Sequence, residues 1–347
     1  MSRVIFLNVP HERGGVQKTV REAMEIINWE NHLRGKKVFV KVNLISSEFV
    51  PGQCTSPAVL DEILYQLTSK GYEVTLGDAD LAAACQCNKA AVAWGHKKLA
   101  EKYGAKFQNL SEDELVDVEV DGKVFKTLQV PKSVLEADSI ISLPVMKTHC
   151  LTGLTCALKH FWGVVPRVRH QYHLVVDDAI VDINSLLKPK VAFALVDGTV
   201  AMEGNGPRTG IPKICDIIMA SDDLVALDAA VSKYMGLSTP AHVKRAAEKG
   251  LGSLKYELLG DAFQPNPFLP PEPDKQPIFY WEMKLRRTFL KPILFDTKIF
   301  SLLAWIATKY NTFWYYRLRG KKYTKEIMKT RYGGELREIL GAQLEES

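Results

Sequence analysis

The sequence predicts an α/β fold: a mainly parallel sheet with flanking helices, an inserted antiparallel hairpin and an amphipathic helical tail at the C-terminal end. Three observations carry this reading. Strand, helix and strand signals follow one another from residue 37 to residue 76, at the spacing of a right-handed parallel crossover. Asp121-Gly122, a strong hairpin pair, interrupts the alternating stretch 116–130. Residues 283–332 mix aromatic and basic side chains at the end of an otherwise acidic chain.

The opening residues, MSRVIFLNVPHERGG, read as a short first strand and lack the apolar core of a secretion signal, so a cytoplasmic location is expected. After Gly14-Gly15, residues 16–28 place Val16, Val20, Ala23, Ile26 and Ile27 on one helical face. Residues 37–44, KVFVKVNL, alternate as a strand, so Lys41 and Asn43 share a side. A polar loop then precedes a helix at 58–70, which Gly71 stops. The strand 73–76 runs straight into Gly77-Asp78. A helix at 94–103 closes at Gly104, and a short strand is expected at 105–107. Beyond the hairpin, a short helix at 131–137 leads to the strand 138–143. Ligands of parallel sheets gather where strand C-termini meet loops, and Asn43 and Asp78 both stand at such an end. Each alone reads equally well as a turn former or cap.

The strand 138–143 feeds the segment on which the chain is organised, SLPVMKTHCLTGLTCALKHFWGVVPRVRH, residues 142–170. Lys147, His149, Lys159 and His160 crowd it, together with Thr152, Thr155 and Cys156, and Arg167, Arg169, His170 and His173 follow. The spacing predicts a helix opening near Thr152, with Thr152, Thr155 or Cys156, and Lys159 on one stripe. Free N–H groups at such a helix start, beside Lys147 and Lys159, suit phosphate or carboxylate. The histidines suit proton transfer near neutral pH or metal ligation. A single lysine or histidine on a helix is ordinarily solvated; the density of such groups points instead to a site. On this reading Lys147, His149, Lys159 and His160 are the catalytic candidates, with Lys41, Asn43, Thr152 and Thr155 binding ligand.

In the second half, a helix at 177–187 precedes the apolar strand 190–196, which is expected to end in Asp197-Gly198. The stretch Met202-Glu203-Gly204-Asn205-Gly206-Pro207-Arg208-Thr209-Gly210 is glycine-rich but has neither the Walker nor the Rossmann order. Glycine loops are commonly plain turns, yet Gly204, Asn205, Gly206 and Arg208 are carried forward as ligand-binding candidates. Asp78, Asp197 and Glu203 are the candidate acids and would hold any divalent metal. A strand at 214–221 leads to a helix that Asp222 is expected to cap, on which Asp228 is paired with a lysine or exposed. The domain reading is an α/β domain over 1–264, a proline-rich linker over 265–282 and a basic, aromatic helical tail over 283–347.

The chain has 347 residues and a net charge of +5. Residues 283–332 hold thirteen lysines and arginines against Asp296 and Glu326, a net of +11, so the rest sums to −6. Such asymmetry suits an anionic surface. Residues 299–318 contain Thr308, Lys309, Asn311 and Thr312, so a helix lying in the headgroup region of an anionic membrane fits better than one spanning it. Packing on the domain or on a second copy is the competing reading. Aromatics among basic residues also suit RNA, but no nucleic-acid module is present. The six cysteines lack zinc or iron–sulfur spacing, which fits free thiols in a reducing compartment.

Lys-Thr-His at 147–149, then Thr152, Thr155, Leu158-Lys159 and a closing glycine, resembles the hallmark of the bacterial and archaeal domain of unknown function 362 family. The resemblance extends through Val40-Lys41-Val42-Asn43-Leu44, Gly77-Asp78, Val196-Asp197-Gly198, Met202 to Pro207 and Ala220-Ser221-Asp222, covering about residues 36 to 252. It brings no established reaction. Some members carry a ferredoxin-type cluster domain, and this chain has no such cysteine segment. Members usually have Asn where His160 stands, and a Ser-Pro-Gly-like turn where this chain has Ala79-Asp80-Leu81. The first departure implies a shifted specificity.

Three functions of different class remain open on these residues. The first is an enzyme acting on an anionic small molecule by acid/base or metal-assisted chemistry at the strand C-terminal rim. The second is a non-catalytic small-molecule sensor using the same rim. The third is a membrane-recruited interaction protein working through its tail, and a homo-oligomer is compatible with each.

Overall fold

The computed structural model describes residues 1–81, 86–165 and 169–341. Cys85 and Arg167 lie outside the described residues.

Among the described residues, ten strands form the main sheet and two form a separate hairpin. In chain order they are β1 (Ser2–Asn8), β2 (Lys37–Lys41), β3 (Glu73–Asp78), β4 (Lys106–Asn109), β5 (Leu115–Glu119), β6 (Thr127–Pro131), β7 (Ser139–Ser142), β8 (Val145–His149), β9 (Gly153–Thr155), β10 (Val191–Glu203), β11 (Ile211–Ser221) and β12 (Tyr256–Gly260). The sheet runs β12-β1-β11-β10-β7-β2-β3-β4, with β8 pairing β10 and β9. It is mixed and mostly parallel: β11 runs antiparallel to both β1 and β10, and β9 to β8. The hairpin is β5 against β6, as Asp121-Gly122 predicts.

The period-2 pattern of the strands sorts their side chains into two buried layers. Val4, Phe6, Phe39, Ile140 and Val196 face one layer, closed by the helices Val176–Leu187 and Leu224–Tyr234. Ile5, Leu7, Val38, Val40, Ile141 and Leu195 face the other, closed by Gly15–Ile27 and Pro57–Ser69. Ser56 caps the last of these, its hydroxyl accepting from Ala58 N–H.

Four expectations change. Residues 153–155 form strand β9, and helix begins only at Ala157, so the stripe through Thr152, Thr155 and Lys159 does not exist. The left-handed Gly153 makes the turn that lets β9 fold back on β8. The cap of Leu224–Tyr234 is Asp223, one residue beyond Asp222. Asp228 is neither lysine-paired nor exposed: it is buried and accepts from the N–H groups of Ala157 (2.7 Å) and Leu158 (3.0 Å). Asp197 is not at a strand exit, because β10 runs six residues past it. That extra length gives β8 an edge to pair with beyond the end of β7, with Asp197 opposite Val145 and Met202 opposite Lys147.

The proline-rich stretch is pinned to the body: Asn266 and Phe268 donate N–H to the carbonyls of Tyr234 and Met235 at 2.8 and 2.9 Å. Among the described residues, no helix is long and apolar enough to cross a membrane. The chain's last described helix, Arg331–Leu340, packs Tyr332, Leu336 and Leu340 into the layer beside Pro57–Ser69. Arg331 anchors it through Asp216 at 2.5 Å.

Candidate functional site

The C-terminal ends of β2 and β3 lie side by side, and a buried charge pair joins them. Lys41 Nζ donates to Asp78 Oδ1 at 2.7 Å and to the Val42 carbonyl at 2.7 Å. Asp78 is saturated in turn, since its oxygens also accept from the N–H groups of Leu44 (2.7 Å) and Ala79 (2.8 Å). Burial lowers the Lys41 ammonium from its usual range, and Asp78 opposes that. Gly163 closes over the pair: a Cβ there would stand 2.6 Å from Asp78 Oδ1 and 3.0 Å from Lys41 Nζ.

His160 supports the same floor. Its Nε2 lies 3.0 Å from the Val42 carbonyl and its Nδ1 2.8 Å from the Ser142 hydroxyl. The carbonyl can only accept, which assigns the proton to Nε2 and makes Nδ1 the acceptor for Ser142. Burial, with Lys41 close by, pushes its pKa well below the usual range, so the ring is neutral.

Lys147 extends from β8 into the region between Asn43 and Gln53, donating to the Asn43 side-chain oxygen and the Gln53 carbonyl. Asn43 is itself set by its N–H bond to Thr55 (2.9 Å), whose hydroxyl donates to the Leu143 carbonyl at 2.8 Å. Complete burial brings the Lys147 pKa down to about 8.

Next along the chain, His149 Nδ1 accepts from Leu151 N–H at 3.0 Å, which leaves the proton of the neutral ring on Nε2. Burial and the neighbouring Lys159 lower its pKa well below the usual range. Nε2 has no hydrogen-bond partner among the described residues.

Lys159 differs from the other two lysines. It is half-buried, lines the cleft, and makes no hydrogen bond or close ion pair with any described residue. Desolvation, then Lys147 and Arg169, bring its pKa down to about 7. Thr155 nearby has a buried hydroxyl without a partner. Arg169 is buried with its guanidinium held by the carbonyls of Trp162 (3.0 Å) and Asp80.

These groups surround one cleft of about 290 Å³. Lys41, Asn43, Asp78, Lys147 and His160 lie at its floor, and His149, Thr155, Lys159 and Arg208 reach it from the sides. Thr152, Gly204, Asn205 and Gly206 do not line it. Thr152 donates to the Leu154 carbonyl at 2.9 Å. The Gly204 carbonyl accepts from the Thr148 hydroxyl at 2.7 Å, and Asn205 is engaged by Thr209 and Glu272 N–H. A Cβ on Gly206 would meet the Thr148 carbonyl at 2.2 Å, so the glycine permits this loop to lie on β8.

The acids separate as well. Asp197 accepts from Thr199 and from Ser56 N–H, and Glu203 pairs with Lys213 at 3.2 Å. Among the described residues, no three His, Cys, Asp or Glu side chains gather as a metal-binding group. The helix start at Ala157 offers no anion site, because Asp228 occupies its N–H groups.

Part of the cleft was not legible as a site in the sequence. Ser142, Thr55 and Gln53 act by holding other residues and carry no local signal. The roof comes from the far end of the chain: Ile278, Phe279 and Glu282 from the helix Pro277–Arg286, and Ala307, Thr308 and Asn311 from Ile299–Asn311. Glu282 fastens this roof, bonded to His173 Nδ1 and to Arg286 Nε, each at 3.0 Å.

Among the described residues, four cationic side chains without a carboxylate of their own thus face the cleft, Lys147, Lys159, Arg169 and Arg208, while Asp78 and Glu282 are each paired within the protein. The arrangement can bind an anion, and Lys159 can exchange a proton near neutral pH.

A curated relative is the thylakoid-associated protein of Synechocystis sp., 24% identical over 260 residues, which cover 70% of this chain and 77% of that protein. Among solved structures, the lactate racemase apoprotein of Thermoanaerobacterium thermosaccharolyticum aligns with a TM-score of 0.41 at 18% identity, over 64% of this chain and 55% of that one. A Thermotoga maritima protein aligns with a TM-score of 0.38 at 14% identity, over 70% and 59%. The chain therefore spans less than two thirds of the length of these two structures. The profile of the domain of unknown function DUF362 matches residues 38–233, more than half of the chain, and the protein belongs to that family.

Proposed function

We propose that the protein is an enzyme acting on a small molecule that bears phosphate or carboxylate, with Lys159 as its acid/base group. The observation that carries this is the state of Lys159: partnerless among the described residues, inside the cleft, with a pKa near 7. The fully buried Lys41 and Lys147 are held by acceptors, whereas Lys159, half-buried at the cleft, has none among the described residues. Lys147 and Arg169 supply positive field, Thr155 an uncommitted hydroxyl, and His149 Nε2–H a neutral donor to developing negative charge. His160, Lys41 and Asn43 serve in this reading by fixing the floor.

The test uses inorganic phosphate and short carboxylates as probes in thermal-shift titrations of the full chain. Wild type is expected to be stabilised in a saturable way, and Lys159→Met to lose that response; an unchanged response in Lys159→Met overturns the reading. Native mass spectrometry of the protein purified without oxygen, with metal analysis, then identifies any retained metabolite or ion. A retained molecule that is returned chemically unchanged after incubation assigns the protein as a sensor instead.

A second reading, peripheral membrane association through 283–332, is supported by the exposed apolar and basic side chains of that tail and by the thylakoid association of the Synechocystis relative.

A further inference from the structure

The helix Ile299–Asn311 has two different faces. Ala304, Ala307, Thr308 and Asn311, spaced at i, i+3, i+4 and i+7, turn toward the body, and the last three line the cleft. The opposite face is apolar and open: Leu302 is 58% exposed, Trp305 57% and Phe313, just beyond, 65%. Basic side chains ring it. Lys309 lies 5.7 Å over the Trp305 ring, Arg319 5.2 Å over Trp314, and Lys284 5.1 Å over Trp281, with Lys298 and Arg317 exposed nearby. Aromatic rings with cations beside them, around an apolar face, match the boundary of an anionic bilayer, where rings sit at headgroup depth and lysines meet phosphates. The +11 charge of residues 283–332 complements such an anionic surface.

The same helix therefore roofs the cleft with one face and exposes an apolar surface with the other. The cleft offers both surfaces. Lys147, Lys159, Arg169 and Arg208 bring cations to it, and Leu151, Trp162, Val176, Ile278 and Phe279 bring apolar surface, with Thr308, Asn311 and the His173-paired Glu282 among them on the roof side. A hydrophilic anion would leave that apolar surface in contact with water.

We infer that the outer face of this tail docks on an anionic bilayer and that the cleft takes from it an anionic amphiphile, headgroup toward Lys147 and Lys159 and hydrocarbon toward the roof. The inference rests on the anion-binding reading of the cleft given above.

Two measurements on the full chain test it. In co-sedimentation, the protein is expected to pellet with vesicles of phosphatidylglycerol in phosphatidylcholine and not with phosphatidylcholine alone, and Leu302→Glu with Trp305→Glu to lower that partition about tenfold. Equal pelleting on the two vesicles overturns the docking. In calorimetric titrations, lysophosphatidic acid below its micelle concentration is expected to bind at least about tenfold more tightly than glycerol 3-phosphate, because burying a hydrocarbon chain adds affinity to the same headgroup. Lys159→Met is expected to lose both. Equal affinities overturn the amphiphile while leaving an anion site; affinities for both probes that are unchanged in Lys159→Met overturn the anion site itself.

Discussion

Lys41 and Asp78, from adjacent parallel strands, make an ion pair at 2.7 Å that is 1% and 5% exposed, and Gly163 passes directly above it. The Asp78 oxygens also accept from backbone N–H groups of the loops that leave those two strands, Leu44 and Ala79. The pair is thus the joint at which β2, β3 and the segment after His160 meet.

Removing the acid leaves a buried ammonium with the Val42 carbonyl at 2.7 Å and His160 Nε2 at 3.4 Å but no counter-charge. Asp78→Asn is expected to destabilise the fold by about 3–5 kcal/mol, the usual cost of breaking one half of a buried pair. Urea unfolding followed by circular dichroism measures it. A loss under about 1 kcal/mol would mean that the pair contributes little.

Gly163→Ala tests the closure above the pair without touching a charge. The added methyl would stand 2.6 Å from Asp78 Oδ1, an atom held by two donors, Lys41 Nζ and Ala79 N–H. A stability loss of about 1–3 kcal/mol is expected from overpacking. Weaker phosphate-induced stabilisation should accompany it, since His160 and Lys159 lie at the start of the same segment.

Lys159 is expected to be acylated by acetic anhydride with a pH inflection near 7, while surface lysines inflect near their ordinary 10.5. Peptide mass mapping across pH 5–10 reads this. The folded pKa lies below the unfolded one, so the folded chain holds fewer protons between them. Stability should therefore rise with pH from about 7 toward 10.5 through this group, and saturating phosphate should move the inflection upward.

The roof should loosen in acid. Burial pushes the Glu282 carboxyl up, but the hydrogen bond from His173 and the charges of His173, His170 and Arg286 outweigh it and bring its pKa down to about 2. A depressed carboxylate contributes stability above its unfolded value of 4.5 and loses it as pH falls toward 2. The protection factors of residues 277–300, taken against the intrinsic exchange rate at each pH, are expected to fall between pH 4.5 and 2. Glu282→Gln should show that lower protection already at pH 7.

Much of the floor was readable from strand exits. The rule that parallel strands deliver ligands at their C-termini brings Lys41, Asn43 and Asp78 to the rim, and the density of reactive side chains after β7 brings Lys147, His149 and Lys159. The rule misplaced Asp197, because β10 is long enough to carry an antiparallel partner past the rim, and apolar alternation does not show where a strand's neighbours stop. The helix expected at Thr152 failed for a related reason: pairing with β8 outweighed local spacing across residues 153–155. Asp228 as the cap for Ala157 and Ser142 as the partner of His160 are contacts between distant residues, 71 and 18 positions apart, which no local period records. The roof was hidden most deeply. Residues 299–318 look interfacial by composition; the outer face of Ile299–Asn311 is apolar and exposed, and its inner face lines the cleft, which composition does not record.

The floor residues, from Lys41 to His160, fall within the stretch 38–233 that matches the family, whereas the roof begins only at Ile278. The floor of the cleft and the helices that cover it are thus encoded in separate, non-overlapping parts of one chain. A graft of a different tail onto the same floor would change the cover without altering the groups beneath it.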